Sequence, residues 1–231
     1  MADFEKAIRD VETRLRARGL GHVFDGVRRI RVVREESFHD CRTFVIGLNP
    51  ADARKPFAAF HARAYLLLHE LGHQFAEACV GPEGRKRLAP LFGDYDRPYR
   101  RLPKPRACGA DHVSRYAMTH PAEDFAETFA VCLWRGWEPA RVDALIGSRS
   151  PVCRRKVSAM RRLIGDSAAR GPGAAGTPPA EAVRARRFDE RKDVFPRRLG
   201  LHPVGRADDA PPVRAHGVHQ ERRLRAHLLR G

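Results

Sequence analysis

Residues 69–73 read His-Glu-Leu-Gly-His and are the part of the chain with the clearest potential for chemistry. The surrounding residues, 65–78, are largely apolar and predict a helix through this segment. On a helix, His69 and His73 project from one face, so that two imidazoles can bind one metal ion. Glu70 lies beside them, where a carboxylate can take a proton from a metal-bound water molecule. The alternative, a helix with two surface histidines and a glutamate of no special role, is disfavoured by the apolar flanks.

A catalytic zinc ion usually has three protein ligands, so the two histidines need a partner from a second segment. The candidate is residues 120–130, where Pro121 suits the first position of a helix. Glu123 and Glu127 are four residues apart and share one face of that helix. The alternative is that Glu123 and Asp124 only complement the positive end of the helix dipole. The histidine motif upstream favours a ligand over this alternative.

The two segments together resemble a known family. LLLHELGHQF at 66–75 and THPAEDFAETFA at 119–130 are similar to the zinc-binding metallopeptidase family of bacteria, which carries an HELGH helix and an HPxEDFAET-like segment. The chain is more distantly similar to the catalytic domain of anthrax lethal factor, which has a tyrosine, a glutamate ligand seven residues later and an FAE-type segment. The resemblance covers roughly residues 56–137. The bacterial relatives often begin with a cysteine-rich zinc ribbon, which this sequence lacks.

The resemblance implies a role for each residue of the site. Glu123 would be the third zinc ligand beside the two histidines, and Glu127 would orient a ligand histidine. Tyr116, seven residues before Glu123, would hydrogen-bond the oxyanion of the tetrahedral intermediate. Glu70 would be the general base that activates the water and then protonates the leaving amine. The implied protein is a zinc metallopeptidase, a hydrolase with Zn²⁺ as its cofactor and a peptide or protein as its substrate.

Two other functions stay open on the sequence. One is a regulatory protease with the same histidine motif that cleaves a repressor. Such proteases often have a shorter gap than the 49 residues between His73 and Glu123. The other is a non-enzymatic protein that binds nucleic acid through a basic tail. Glu70 disfavours it, because a structural metal site has no need of a base.

Hydrophobic patterning predicts the elements that must position these residues. Apolar residues at helical spacing predict helices over 3–18, 56–80 (the helix that carries the histidines), 138–146 and 150–164. Two β-rich runs, 27–33 and 43–48, predict strands of a small sheet. Frequent prolines and glycines predict a long loop over 81–113. The expected fold is α+β and zincin-like, with a small sheet packed on the histidine-bearing helix and a mostly helical second half.

The sequence also predicts the roles of several other residues around the motif. Gly72 either permits the close approach of another backbone or is simply tolerated in the helix. His61 and Tyr65 are expected at the edge of a cleft or on the surface, not as ligands. Other potential ligands lie in the predicted loop but are expected to be solvated: Asp94, Asp96, Asp111 and His112.

The charge of the chain is unevenly distributed. Of the formal net charge of +16, residues 151–231 carry +11. Residues 170–180 are rich in Gly, Pro and Ala, which is typical of a linker. The sequence therefore predicts a metallopeptidase domain over residues 1–165 and a basic, disordered tail over 166–231. The tail could bind nucleic acid or anionic lipid electrostatically, but it lacks the interleaved aromatic residues that stack on bases, and an incidental extension is the favoured interpretation.

Cysteine content and hydropathy bear on location. The five cysteines are widely spaced, without a CxxC pair, which disfavours a disulfide framework. No apolar run approaches the length of about 18 residues that a transmembrane helix needs, and the first residues do not resemble a signal peptide. The prediction is a cytoplasmic protein without a membrane span, whose oligomeric state the sequence leaves open.

Overall fold

A computed structural model of the chain describes residues 2–54, 58–99 and 106–171. This part of the protein is α+β and mostly helical, as the sequence predicts. Its elements in chain order are α1 (Ala2–Ala17), α2 (Gly21–Asp25), β1 (Arg29–Val32), β2 (Phe38–Asp40), β3 (Val45–Leu48), a 3₁₀ turn (Asp52–Arg54), α3 (Arg63–Phe75), a π-helical segment (Ala76–Val80), α4 (Gly81–Phe92), α5 (Pro121–Trp134), α6 (Pro139–Gly147) and α7 (Pro151–Arg170). None of the helices in these ranges is long and apolar enough to span a lipid bilayer.

The sheet has three strands in the order β1-β3-β2. Strand β1 runs parallel to β3, with Arg29 opposite Val45, whereas β2 runs antiparallel to β3, with Phe38 opposite Gly47. All four residues of β3 are buried, because β3 is the central strand and the sheet lies against α3. The two strands predicted from the sequence are confirmed. The three-residue strand β2 was not predicted, since a run this short has too little periodicity to detect.

The centre of the core is the packing of α3 against α5. Phe75 of α3 stacks on Phe129 of α5, with ring centroids 4.9 Å apart, and lies 6.4 Å from the ring of Phe125. All three side chains are about 1% exposed or less, and burying each contributes about 1.5–3 kcal/mol. This pairing fixes the two segments that carry the predicted ligands relative to each other.

Gly72 lies where α3 and α5 approach most closely. A Cβ atom at this position would lie 2.8 Å from Cα of Ala126 and 3.0 Å from its carbonyl oxygen. Real Cβ atoms essentially never come this close to a backbone atom. Of the two interpretations of Gly72, close approach by another backbone is therefore confirmed.

The histidine-bearing helix begins later than the sequence suggests. It was expected to start at Pro56, which lies outside the described residues, but residues 58–62 are not helical and α3 starts at Arg63. The residue before it, Ala62, is extended, with φ −147° and ψ 148°. Phe60 is buried against the rings of Tyr65 and Trp134, so packing of this side chain prevails over the local helical pattern.

The prediction of a continuous loop over residues 81–113 is wrong, because α4 occupies the first twelve of them. Pro82 stands in the first turn of α4, where its missing N–H costs nothing, and Gly93 ends the helix with φ 88°. These two residues, which the sequence analysis interpreted as loop signals, mark the boundaries of a helix. Residues 93–99 and 106–120 have no regular secondary structure.

Helix α7 continues beyond the predicted end at Ile164 as far as Arg170. Ser150 caps it, as its hydroxyl accepts from the N–H groups of Val152 and Cys153. In the added turn, the side chain of Ser167 is buried, and its Oγ lies 2.9 Å from Nε2 of His22. The folded part therefore extends past the predicted boundary at residue 165. Residues 172–231, the rest of the predicted tail, lie outside the described residues.

Candidate metal centre

Three potential ligand atoms converge between α3 and α5. Nε2 of His69 lies 3.0 Å from Oε2 of Glu123, and Nε2 of His73 lies 3.5 Å from the same oxygen. The donor atoms of the three residues all lie within 4.8 Å of one another. The imidazole rings stand nearly perpendicular, with centroids 5.1 Å apart. The structure thus brings together three residues that the sequence analysis assigned to one site, across the 49 residues that separate His73 from Glu123.

This arrangement fits a zinc ion. Two imidazole nitrogens and one carboxylate oxygen form a common catalytic zinc donor set. Ligands at about 2.0–2.1 Å from a tetrahedral zinc lie about 3.4 Å from one another, close to the spacing from Glu123 to the two histidines. Oε2 of Glu123 is buried and accepts no hydrogen bond of regular geometry in the described part of the chain. The polar atoms facing it are the Nε2 atoms of His69 and His73, so a cation between the three atoms would bind all of them at once.

The charge state of Glu123 also suits a ligand. Burial disfavours its ionised form, but the neighbouring His73 and His69 outweigh burial and hold the pKa of Glu123 well below its usual range. The carboxylate is therefore deprotonated at neutral pH, which is the form that binds a metal. Glu123 faces the two histidines. It therefore does more than complement the positive end of the α5 dipole, which was the alternative role considered from the sequence.

Glu127 lies one turn further along α5 and contacts the first histidine. Its Oε1 is 3.0 Å from Nδ1 of His69, while its Oε2 accepts from the hydroxyl of Tyr65 and the backbone N–H of Ala59, each at 3.3 Å. Because Nδ1 of His69 contacts Glu127, the other ring nitrogen, Nε2, is the atom that faces Glu123 and would bind a metal ion. Tyr65 is 1% exposed, so the expectation that it lies at a cleft edge or on the surface is wrong. Its ring packs against Phe60 and Trp134, while its hydroxyl contacts Glu127.

Glu70 is 4% exposed and lies within electrostatic reach of His69, His73 and Glu123. Burial raises the pKa of Glu70 to about 7, and the two histidines oppose this shift without cancelling it. A carboxylate whose pKa is near the working pH is well suited to accept and return a proton.

Tyr116 lies against the site from the segment before α5. Its ring centroid is 5.4 Å from that of His69. Burial raises the pKa of Tyr116 well above its usual value, and the nearby carboxylate of Glu123 adds to this. Its hydroxyl therefore stays protonated at neutral pH and can donate a hydrogen bond. Tyr99, which no sequence motif marks, lies beside Tyr116 and Glu123, and burial together with the charge of Glu123 raises its pKa above the usual value.

The other potential ligands lie apart from the three converging residues. Asp96 pairs with Arg85, with Oδ1 2.9 Å from the guanidinium. Lys156 of α7 donates to Oδ2 of Asp124 at 2.6 Å and to the carbonyl of Asp111 at 3.0 Å. This buried ion pair joins α5 to α7 immediately beside Glu123. Burial raises the pKa of Asp124 to about 7, although Lys156 opposes the shift. Asp124 therefore anchors α5 from the side facing α7.

We expect Gly72→Ala to weaken both the fold and the metal centre. Alanine is favoured over glycine in a helix by about 1 kcal/mol, but overpacking against Ala126 costs about 1–3 kcal/mol, so a net loss of stability is expected. Moving α3 away from α5 also separates the histidines from Glu123, which should lower zinc affinity. Denaturant unfolding of the metal-free protein and zinc titration would measure the two effects.

Gly165→Ala is the matched control for this substitution. Gly165 lies within α7, and a Cβ there would meet no atom within 4 Å. This variant should gain up to about 1 kcal/mol and bind zinc like the parent chain. A Gly72→Ala protein as stable as the Gly165→Ala protein would show that the helices separate at no cost.

A family model described as "Putative zinc-binding metallo-peptidase" matches residues 63–135. The matched segment begins with α3 and ends just after α5, so it includes the three converging residues, Glu70 and Glu127. The match supports a metallopeptidase, and hence a zinc-binding hydrolase, at this coarse level. Neither the curated proteins nor the solved structures include a significant match. The similarity to the lethal factor catalytic domain stays a prediction.

Proposed function

We propose that the chain is a zinc-dependent metallopeptidase with a zincin-like fold. The observation that carries the proposal is the convergence of His69, His73 and Glu123 on one point, with the buried carboxylate of Glu70 beside them. A purely structural metal site would not require a buried base next to its ligands. The family match over α3 to α5 supports the same activity.

In the proposed reaction, His69, His73 and Glu123 would hold a zinc ion, whose Lewis acidity would lower the pKa of a water molecule and polarise a carbonyl group. Glu70 accepts a proton from the attacking water and delivers it to the amine that leaves. Burial raises the pKa of Glu70, whereas the charge of a bound zinc ion would lower it, so an ionised Glu70 would be available to take the proton of the water. Exclusion of solvent from Glu70 strengthens its interactions with the reacting groups.

Two further residues support these steps. Glu127 holds the ring of His69 through Nδ1, which fixes the tautomer and the direction of Nε2. Tyr116 donates its hydroxyl proton as a hydrogen bond to the carbonyl oxygen when negative charge develops there. Its contact with the ring of His69 places it beside the ligands.

The substrate of this reaction is a peptide or a protein, since the family is one of peptidases. We place the reaction in the cytoplasm, where the five cysteines, all free in the structure, would stay reduced. The two other functions considered on the sequence gain no support from the site. Cleavage of a repressor would use the same residues, and the basic tail that would bind nucleic acid lies outside the described residues.

Metal removal tests the proposal directly. The purified full-length chain should contain one zinc per molecule by elemental analysis and should cleave an unfolded protein substrate. Dialysis against a chelator should abolish cleavage, and one equivalent of zinc should restore it. A preparation that binds no zinc would contradict the proposed site, whereas full cleavage after complete metal removal would contradict the mechanism.

A further inference from the structure

The two candidate ligand histidines are held by different kinds of partner. Nδ1 of His69 contacts the carboxylate of Glu127, which lies within a buried helix. Nδ1 of His73 lies 3.4 Å from the hydroxyl of Tyr95, a residue of the irregular segment 93–99. A neutral hydroxyl on an irregular segment is a weaker restraint than a carboxylate on a helix. The position of His73 therefore depends on what holds that segment in place.

The buried guanidinium of Arg85 holds segment 93–99 in place. Arg85 of α4 is 8% exposed and contacts Asp96, the residue after Tyr95, through two nitrogens: Nε lies 3.2 Å from Oδ2 and NH2 lies 2.9 Å from Oδ1. Its third nitrogen, NH1, donates to Oε2 of Glu77 at 2.9 Å and to the carbonyl of Ala76 at 3.3 Å. The planar, five-donor geometry of arginine suits this shared task, which a lysine could not perform.

These contacts join the residues around Tyr95 to the helix that carries His73. Glu77 and Ala76 belong to the π-helical segment that directly continues α3, so they follow His73 by one turn. The guanidinium also lies 5.1 Å from the centroid of the Tyr95 ring. The Tyr95 ring also packs edge-on against Phe125 of α5, with ring centroids 5.8 Å apart. Tyr95 is thus confined by Arg85 and by α5 while its hydroxyl faces His73.

We propose that Arg85 and Tyr95 form a positioning unit for His73, so that Arg85, which touches no ligand, controls the affinity of the metal centre. The proposal rests on the zinc site described under the proposed function. Tyr95 accepts a hydrogen bond from Nδ1 of His73, which directs Nε2 toward Glu123, and Arg85 keeps Tyr95 in the place where it can do so. Residues that orient metal ligands typically change metal affinity by about 10–100-fold when replaced.

Zinc affinity of the full-length chain, measured by competition with a chelator of known affinity, tests this proposal. Tyr95→Phe removes the hydroxyl but keeps the ring, and it should weaken zinc binding about tenfold. Arg85→Lys should weaken binding by a similar factor through loss of its bidentate contact with Asp96. The double variant should be no weaker than Tyr95→Phe alone, because Arg85 acts through the hydroxyl that is already absent.

Two further variants separate positioning from general stability. Asp96→Ala removes the contact between Asp96 and Arg85 at a side chain that is 50% exposed. It can therefore replace Arg85→Lys if that variant does not fold. Its zinc affinity should equal that of Arg85→Lys. Glu83→Gln removes an exposed carboxylate on the same helix, paired only with Lys86 among the described residues, and should leave affinity unchanged. Arg85→Lys and Asp96→Ala proteins that bind zinc as tightly as the parent would overturn the proposal.

The double variant supplies a second decisive outcome. If the losses from Arg85→Lys and Tyr95→Phe multiply, Arg85 does not act through Tyr95 and the positioning unit is refuted. If the parent chain binds one zinc but the variants do not show the expected losses of affinity, this inference is overturned and the proposed function stands. A parent chain that binds no zinc would overturn both.

Discussion

The Glu70→Gln variant should lose about 10²–10⁴-fold in turnover while it keeps one zinc per chain. Glutamine has the size and shape of glutamate but lacks the basic oxygen that accepts a proton. Glu70 is buried, and burial already brings its pKa to about 7, so a neutral amide in its place should cost little stability. The expected variant is therefore folded and zinc-loaded, yet nearly inactive.

Elemental analysis and an assay of peptide cleavage on the same preparations would measure this effect. Glu83→Gln removes a carboxylate that is fully exposed on α4 and should retain parental turnover. Tenfold or smaller loss of turnover in a zinc-loaded Glu70→Gln protein would assign the general base to another residue. Loss of zinc together with turnover would instead make Glu70 part of the metal-binding shell.

Local periodicity was sufficient to predict one half of the site. His69, Glu70 and His73 lie within five consecutive positions, and helical geometry alone places both imidazoles on one face. The approach of α5 to Gly72 could be anticipated only as one of two alternatives, because a sequence does not show which backbone lies opposite a glycine. The contact with Ala126 decides it.

The ligand from α5, Glu123, depends on contacts between segments that are distant in the sequence. Nothing in the spacing of Glu123 and Asp124 shows which carboxylate faces the histidines, and the resemblance to a metallopeptidase family supplied that choice. The structure separates the two by their partners, since Asp124 lies against Lys156 of α7 and Glu123 lies against the histidines. Such a choice is made by packing of α3, α5 and α7, which local sequence does not encode.

Residues that support the ligands were the hardest to predict. Arg85 and Tyr95 lie in a stretch whose prolines and glycines resemble those of one long loop, but Pro82 lies in the first turn of α4 and Gly93 ends that helix. Tyr65 carries an apolar ring at a helical position, and its hydroxyl contact with Glu127 became apparent only with the fold. No motif marks these residues, because a hydrogen bond to a ligand can come from any segment that reaches it.

Replacing Glu123 with alanine should abolish stoichiometric zinc binding. The two histidines would remain, but two imidazoles without a third ligand bind zinc far less tightly than a three-ligand site. We expect affinity to fall by more than about 100-fold, since changes to residues that merely orient ligands already cost about 10–100-fold. The metal-free variant should stay folded, because the packing of Phe75 against Phe125 and Phe129 holds α3 against α5 without this carboxylate.

The choice of control decides what this experiment shows. Asp124 is unsuitable, because its removal would leave the buried cation of Lys156 unpaired at a cost of about 3–5 kcal/mol. Asp143→Asn is preferable, since Asp143 is exposed on α6 and pairs with surface arginines. Parental zinc affinity in a folded Glu123→Ala protein would mean that the third ligand comes from elsewhere. Loss of zinc with an unchanged melting temperature of the metal-free protein would assign Glu123 to the metal and not to the scaffold.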